Sequence, residues 1–283
     1  MKQLIYPEKL SKKEAYQLLI GSVAPRPIAF VSTYNEDLST NVAPYSFFMG
    51  ISASPPIVAF SVSNPSGPLT EKDTLFNAKY RKELVINSVH YDMIQQTAMS
   101  SIPFPHGTSE FIKTGLTAIK ATIVNAPLVK ESHINMECKV RDIIRFGDHP
   151  GAGNLVICDV VLFHIKEDIV TDGRIDPDKA DLMGRMGRAF YTRASGDAIF
   201  SFYQKSGDNI IGYENLPRHV RESHFLSAND IATMSRLTEW PDQSDLTQWQ
   251  NIHISNPESL VRELINAGEP KKALALLITL TDN

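Results

Sequence analysis

Two long alternating segments constrain this chain more than any other feature. Residues 134–143 (INMECKVRDI) and 155–166 (LVICDVVLFHIK) alternate as strands do, on either side of a stretch containing Gly147, Gly151 and Gly153. That arrangement predicts a β-hairpin. Further β-rich runs precede it: 28–33 (IAFVST), an extended run over 41–48, 57–63 (IVAFSVS) after Pro55-Pro56, 83–89 (ELVINSV) and 117–125. Run 57–63 is nearly continuous in apolar character, so it is expected to be buried on both faces. Many strands with only short helices between them point to a closed or half-open barrel rather than a doubly wound α/β sheet.

Helical signals are confined to the ends and the gaps. Ser11-x-x-Glu14 is a capping box, followed by an apolar stripe of Ala15, Leu18 and Leu19, with a stop expected near Gly21. Asp73-Thr74 is predicted to cap a short helix reaching Tyr80, and residues 92–117 read as helical and loopy, broken by Pro103, Pro105 and Gly107. Asp172-Gly173, Pro177, Gly184 and Gly187 mark an expected loop. Near the end, Asn256 caps and Pro257 opens a helix with the apolar face Leu260, Val261, Leu264 and Ile265; Gly268 ends it, and a second helix carries Leu274, Leu277 and Ile278. This αα-hairpin is expected to bury one face against the barrel or a partner chain. The division expected is a barrel over residues 1–205 and a helical extension over 206–283.

Composition removes several classes. With 28 Lys plus Arg against 32 Asp plus Glu, the net charge of −4 and the lack of a basic run speak against nucleic-acid binding. No stretch approaches the roughly 20 apolar residues of a membrane helix, and Pro7 and Glu8 interrupt the start before a signal-peptide core forms. The expectation is a cytoplasmic protein without membrane contact. Cys138 and Cys158 read as two buried thiols, and His219 and His224 are wrongly spaced for a zinc pair. Walker A, HExxH and GxSxG motifs are absent, and Gly151-Ala-Gly153 reads as a hairpin turn rather than a dinucleotide fingerprint.

What remains is a cluster of small polar residues near the early strand ends: Ser32, Thr33, Asn41, Ser46, Ser61 and Ser63, followed by Lys72-Asp73-Thr74 opening a helix. Hydroxyls, a helix N-terminus and one lysine are the ingredients of a phosphate-monoester site. Phe47 and Phe48 either pack on an aromatic ligand or belong to the core.

As an ordered set, Pro25-Arg-Pro-Ile-Ala-Phe-Val-Ser-Thr33, Asn41-Val-Ala-Pro-Tyr-Ser-Phe-Phe48, Ser54-Pro-Pro56 and Lys72-Asp-Thr74 resemble the flavin reductase-like family, the FMN-binding split barrels that include flavoredoxins and flavin:NAD(P)H reductases. Glu110-Phe111 with Gly115-Leu-Thr117, Glu131-Ser132 with Glu137-Cys138, and Gly184-Arg-Met-Gly187 before Tyr191 extend the likeness over roughly residues 10–195. Gly212 to Pro217, through Asn229-Asp230, resembles a C-terminal extension of some members.

The resemblance implies a mainly β Greek-key split barrel with short helices, working as a homodimer with FMN near the interface. Carried over, Ser32, Thr33, Asn41, Ala43, Pro44, Ser46 and Phe47 become flavin-ring or ribityl contacts, and Ser61, Ser63, Lys72, Asp73 and Thr74 hold the phosphate. Arg26, Arg185 and Tyr191 are either further contacts or interface and surface residues, and His164 is either a barrel histidine or a nicotinamide contact. No catalytic side chain is implied, because the flavin carries the chemistry. The expected activity is reduction of flavin or a ferric complex by NAD(P)H, by hydride transfer to flavin N5, with a monooxygenase as one possible recipient. The alternatives are a flavoredoxin-like electron carrier and a non-catalytic split-barrel binding protein.

Overall fold

A computed structural model describes residues 2–65, 71–105, 107–202, 207, 209–250 and 252–280. The chain divides into two compact units, Met1–Phe200 and Ser201–Asn283. The 205/206 boundary expected from the sequence lies outside the described residues.

The first unit opens with α1 (Lys12–Ser22), started by the expected capping box: Ser11 Oγ accepts from Glu14 N at 3.3 Å, and the Glu14 carboxylate accepts from Ser11 N at 2.9 Å. Then come β1 (Ala29–Tyr34), β2 (Thr40–Tyr45), β3 (Phe48–Ala53), β4 (Pro56–Ser63), α2 (Asp73–Arg81), β5 (Glu83–Asn87), α3 (Ile94–Met99) and α4 (Glu110–Thr114). They are followed by β6 (Ala118–Lys120), β7 (Pro127–Val129), β8 (Ile134–Arg145) and β9 (Gly153–Ile165). Seven of these strands form one antiparallel sheet in the order β2-β1-β5-β8-β9-β4-β3.

One cluster of buried side chains includes Val31, Phe60, Val62, Leu84, Ile86, Cys138, Val156 and Cys158, with Leu75 and Ala78 of α2 closing it. A second, with Phe30, Val42, Met93, Phe111 and Val129, covers the other side of β1. β1 is therefore buried on both faces. Both cysteines are free and buried, and burial raises each thiol's pKa, that of Cys158 to about 12, so neither is a nucleophile near neutral pH. At the hairpin, Gly153 lies close against β4: a Cβ there would lie 2.8 Å from Ser61 Oγ and would force that hydroxyl to move.

Two expectations change. The strand expected over 117–125 is only Ala118–Lys120, because the N–H groups of Thr122, Ile123 and Val124 bind the buried Glu137 carboxylate instead of a neighbouring strand. The loop expected after residue 170 is instead two small hairpins, β10 (Val170–Thr171) with β11 (Arg174–Ile175) and β12 (Leu182–Arg185) with β13 (Tyr191–Ala194), joined by α5 (Pro177–Ala180). Gly184 lies inside β12, where an added Cβ would meet Thr192 Cγ2 at 2.9 Å.

The second unit contains α6 (Arg218–Arg221), α7 (Ala228–Ser235), α8 (Gln243–Thr247), α9 (Pro257–Asn266) and α10 (Pro270–Thr279). Asn256 caps α9 as expected, accepting from Ser259 N at 3.1 Å. The apolar faces of α9 and α10 are buried within this unit, on Ile211, Leu216, Val220, Leu226, Ile231 and Met234. The expectation that they need the barrel or a partner is corrected: the preceding short helices supply the missing face.

Candidate functional site

The early strand ends and α2 meet in a buried polar network. Thr33 and Asn41 are directly paired across β1 and β2. The Asn41 amide donates to Thr33 Oγ1 and to Thr74 Oγ1, both at 3.0 Å. One turn further along α2, Asn77 donates to Thr33 Oγ1 at 2.9 Å and to Asn35 Oδ1 at 2.8 Å. All five residues are at most 4% exposed. Such a network is favourable only because its members are paired, and it locks α2 to the ends of β1 and β2.

At the start of α2, the N-cap residue is Lys72 rather than Asp73 or Thr74, which correct to the first two helical positions. A lysine side chain has no oxygen to offer the first-turn N–H groups, so this helix end has no side-chain cap, and it carries the Lys72 ammonium and the Asp73 carboxylate side by side. The Lys72 ammonium sits 5.6 Å from the Tyr45 ring centroid, and crowding by protein atoms lowers its pKa although one flank of the side chain is exposed. Burial raises the Tyr45 phenol strongly, despite its hydrogen bond to Thr74, so it stays protonated. Ser61 and Ser63 are half-buried on β4, and Ser61 N donates to Phe47 O at 2.8 Å.

The Asn41–Phe47 segment is held from both ends. Glu110, at the start of α4, accepts from Val42 N at 3.1 Å; its burial raises its pKa. Arg26 donates to Ile20 O and Val23 O at 2.6 Å each, to Met186 O at 3.1 Å and to Ser46 Oγ at 3.3 Å. It also lies 5.7 Å from the Phe47 ring centroid. Its guanidinium thus braces the segment after α1 and orients Ser46. Between these braces, Ala43, Pro44, Ser46 and Phe47 are all half-buried.

Ser32 does not join the group. It faces the other side of β1 from Thr33, donates to Pro127 O at 2.5 Å and accepts from Asn87 Nδ2 at 2.9 Å with no exposed surface. Arg185 and Tyr191 form a separate pair on β12 and β13, guanidinium 4.5 Å from the ring centroid, attached to Arg26 by the reciprocal backbone bonds Arg26 N to Arg185 O and Arg185 N to Arg26 O. His164 pairs with the Glu137 carboxylate at 2.6 Å. Sequence reasoning missed Asn35, Asn77, Tyr45 and Glu110. Asn77 had a signal, since Thr74 and Asn77 are polar at i, i+3 beside the apolar Leu75 and Ala78.

The residues that converge fit a phosphate and a flat ring better than a metal. Lys72 and the uncapped start of α2 offer donors, Ser61 and Ser63 are half-buried on β4, and the Ala43–Phe47 segment offers an apolar rim. Among the described residues, no group of three or more His, Cys, Asp or Glu could hold a metal ion, and no helix is long and apolar enough to cross a membrane.

An uncharacterized protein of Halalkalibacterium halodurans is 39% identical over 183 residues, 64% of this chain and 87% of that one. The fold is similar to nitrilotriacetate monooxygenase component B from Bacillus cereus, with TM-score 0.66 and 30% identity over 72% of this chain and 99% of the other. It is also similar to 2-nitrobenzoate 2-nitroreductase of Pseudomonas fluorescens, with TM-score 0.63 and 27% identity over 72% of this chain and 100% of the other. The model of the flavin reductase like domain matches residues 21–177, more than half of the sequence, and the chain therefore belongs to the flavin reductase-like family of split-barrel flavoproteins.

Proposed function

We propose that this protein is an FMN-dependent reductase that takes electrons from NAD(P)H. The observation that carries this reading is the Thr33–Asn41–Thr74 network, which fixes an uncapped, lysine-bearing helix start beside the Ala43–Phe47 segment. In this reading Lys72, Asp73, Thr74, Ser61 and Ser63 surround the ribityl phosphate. Asn41 and Thr33 set the helix position, and Pro44, Ala43, Ser46 and Phe47 border the ring, with Arg26 holding Ser46 in place. FMN held by these residues would supply the electron-accepting chemistry. The protein's share is to bind, orient and leave one ring face open to nicotinamide.

The apolar Met49 and Ile51 of edge strand β3 are 59% and 50% exposed, which supports pairing with a second copy in a homodimer. The likeness to a monooxygenase component supports a partner oxygenase as the recipient of reduced flavin. The absence of a membrane-length helix among the described residues is compatible with a cytoplasmic location.

The test is an anaerobic visible spectrum of protein loaded with FMN, desalted, then mixed with NADH or NADPH. Retained flavin that bleaches within seconds supports the reductase and identifies the nucleotide. Retained flavin that stays oxidised turns the reading to an electron carrier fed by another protein, and loss of all flavin on desalting overturns tight FMN binding.

A further inference from the structure

A second concave site lies at the opposite end of β8 and β9 from their hairpin. It is a cleft of about 490 Å³ lined by Lys130, Glu131, Ser132, His133, His164 and Lys166, with Asn135 and Ile165 completing the wall. It contains none of the residues assigned to the flavin above.

Its chemistry centres on His164. Glu137 behind it has no exposed surface, and although burial alone would raise its pKa, its hydrogen bonds to His164 and to the N–H groups of Thr122, Val124 and Ile123 lower it overall. Glu137 is therefore a carboxylate and can only accept, so His164 Nε2 donates to it at 2.6 Å. That bond fixes the ring and makes Nδ1 the nitrogen available to a ligand. A buried carboxylate holding one imidazole nitrogen so that the other faces a cleft is the arrangement of a histidine that exchanges protons.

Charges of both signs surround it. Lys130 and Lys166 line the cleft. Glu131 also lines it, but both its oxygens accept from Thr117 N, at 3.0 and 3.1 Å. Asp168 pairs with Lys166 at 2.8 Å, and both side chains are more than half exposed, so solvent screens the two charges alike. His133, stacked on His90 with ring centroids 3.8 Å apart, has an Nδ1 that is buried and without a hydrogen-bond partner among the described residues. Ser132 and Asn135 hold the walls: Ser132 Oγ bonds Ser88 O at 2.6 Å, and Asn135 Nδ2 bonds Asn87 Oδ1 at 2.7 Å and Val129 O at 3.0 Å.

We propose that this cleft binds a small molecule through its carboxylate or phosphate group, flanked by Lys130 and Lys166 and hydrogen-bonded by His164, which takes up a proton at Nδ1 as the anion arrives. An anion beside Nδ1 favours the imidazolium form, so binding and protonation are coupled. The atoms balance simply: the proton comes from buffer, and no bond of the ligand changes. The proposal does not rest on flavin being bound.

Calorimetric titration of the full chain, without flavin, tests it with inorganic phosphate and with succinate as separate probes, each in two buffers of different ionisation enthalpy. The expected result is saturable binding of at least one probe within about 10 mM, with the stronger probe identifying the group recognised. The binding enthalpy should depend on the buffer, and that dependence should vanish in His164→Gln. Lys130→Ala, which alters only a surface cation, should weaken binding roughly tenfold. The proposal is overturned if neither anion binds, if Lys130→Ala binds as the parent does, or if the enthalpy is the same in both buffers. An altered FMN titration in Lys130→Ala would also overturn it, by assigning the cleft to the flavin.

Discussion

The Asn41 side-chain amide reaches Thr74 Oγ1 at 3.0 Å, joining a strand end to the first turn of α2 across 33 residues of sequence. The same amide holds Thr33, so one side chain closes the corner between two strands and a helix. Asn41→Ala should cost about 1–3 kcal/mol of stability, because it leaves buried hydroxyls with lost partners. It should also weaken FMN binding by loosening the Lys72–Thr74 turn. Urea denaturation and flavin-fluorescence titration of the same variant read the two effects; unaltered FMN affinity would separate the network from the flavin site.

Lys72 is the cation at the start of α2. Lys72→Ala should weaken FMN binding by about 1–3 kcal/mol, the range for a charge-assisted hydrogen bond to phosphate. Stability should change little, since the side chain has an exposed flank. Equal affinity for FMN in parent and variant would remove Lys72 from the phosphate site.

Much of this architecture was legible in the residues because strand periodicity, capping boxes and glycine turns are local signals. The hairpin of β8 and β9, the α1 capping box and the Asn256 cap are all written within a few positions. Side-chain partners separated by 30 or more residues carry no such signal. Ser32 and Thr33 look alike in sequence, yet period-two alternation puts their hydroxyls on opposite faces of β1, one toward Pro127 and one toward Asn41 and Asn77. Arg26, a charge beside a buried strand, reads in sequence as either a ligand contact or an interface residue; the carbonyls that satisfy it include Ile20 of α1 and the distant Met186. The tail reads in sequence as a hairpin that must bury one face on the barrel or a partner chain, because α6 and α7 are too short and polar to announce their apolar side.

Glu137 anchors three consecutive N–H groups and His164 with one buried carboxylate. Glu137→Gln keeps the volume but turns an amide N–H₂ toward donors. It should cost about 2–4 kcal/mol, the range for breaking a buried charged hydrogen-bond set. Chemical denaturation checks this, and a loss below about 0.5 kcal/mol would show that the 122–124 turn is held by other contacts.

The helical unit should depend on its last two helices. Val261, Ala273, Leu274 and Leu276 are almost fully buried, against Val220 and Met234 among others. Truncation before Asn256 strips that core from one side, so α6 and α7 should melt as well. Far-UV circular dichroism should show more helix lost than the residues of α9 and α10 contain; a loss matching those residues alone would mean that the remaining helices stand without them.

His90 gives the first unit a dependence on pH. Burial, reinforced by the stacked His133, lowers its pKa from the ordinary 6.5 to about 4, with Asp92 and Asp181 opposing and Lys166 adding to the shift. Above pH 6.5 neither the folded nor the unfolded chain carries this proton, and the neutral stack is intact. As pH falls from 6.5 towards 4, the unfolded chain takes up a proton that the folded chain refuses, so stability declines by up to about 3 kcal/mol. The backbone of this segment pairs with β12, at His90 with Leu182 and from Tyr91 N to Asp181 O, so the hairpin bearing Arg185 and Tyr191 should loosen with it. His90→Phe keeps a ring on His133 and removes the titration. Its unfolding free energy should therefore be flatter than the parent's between pH 6.5 and 4, and parallel profiles would exclude His90 as the source of the acid sensitivity.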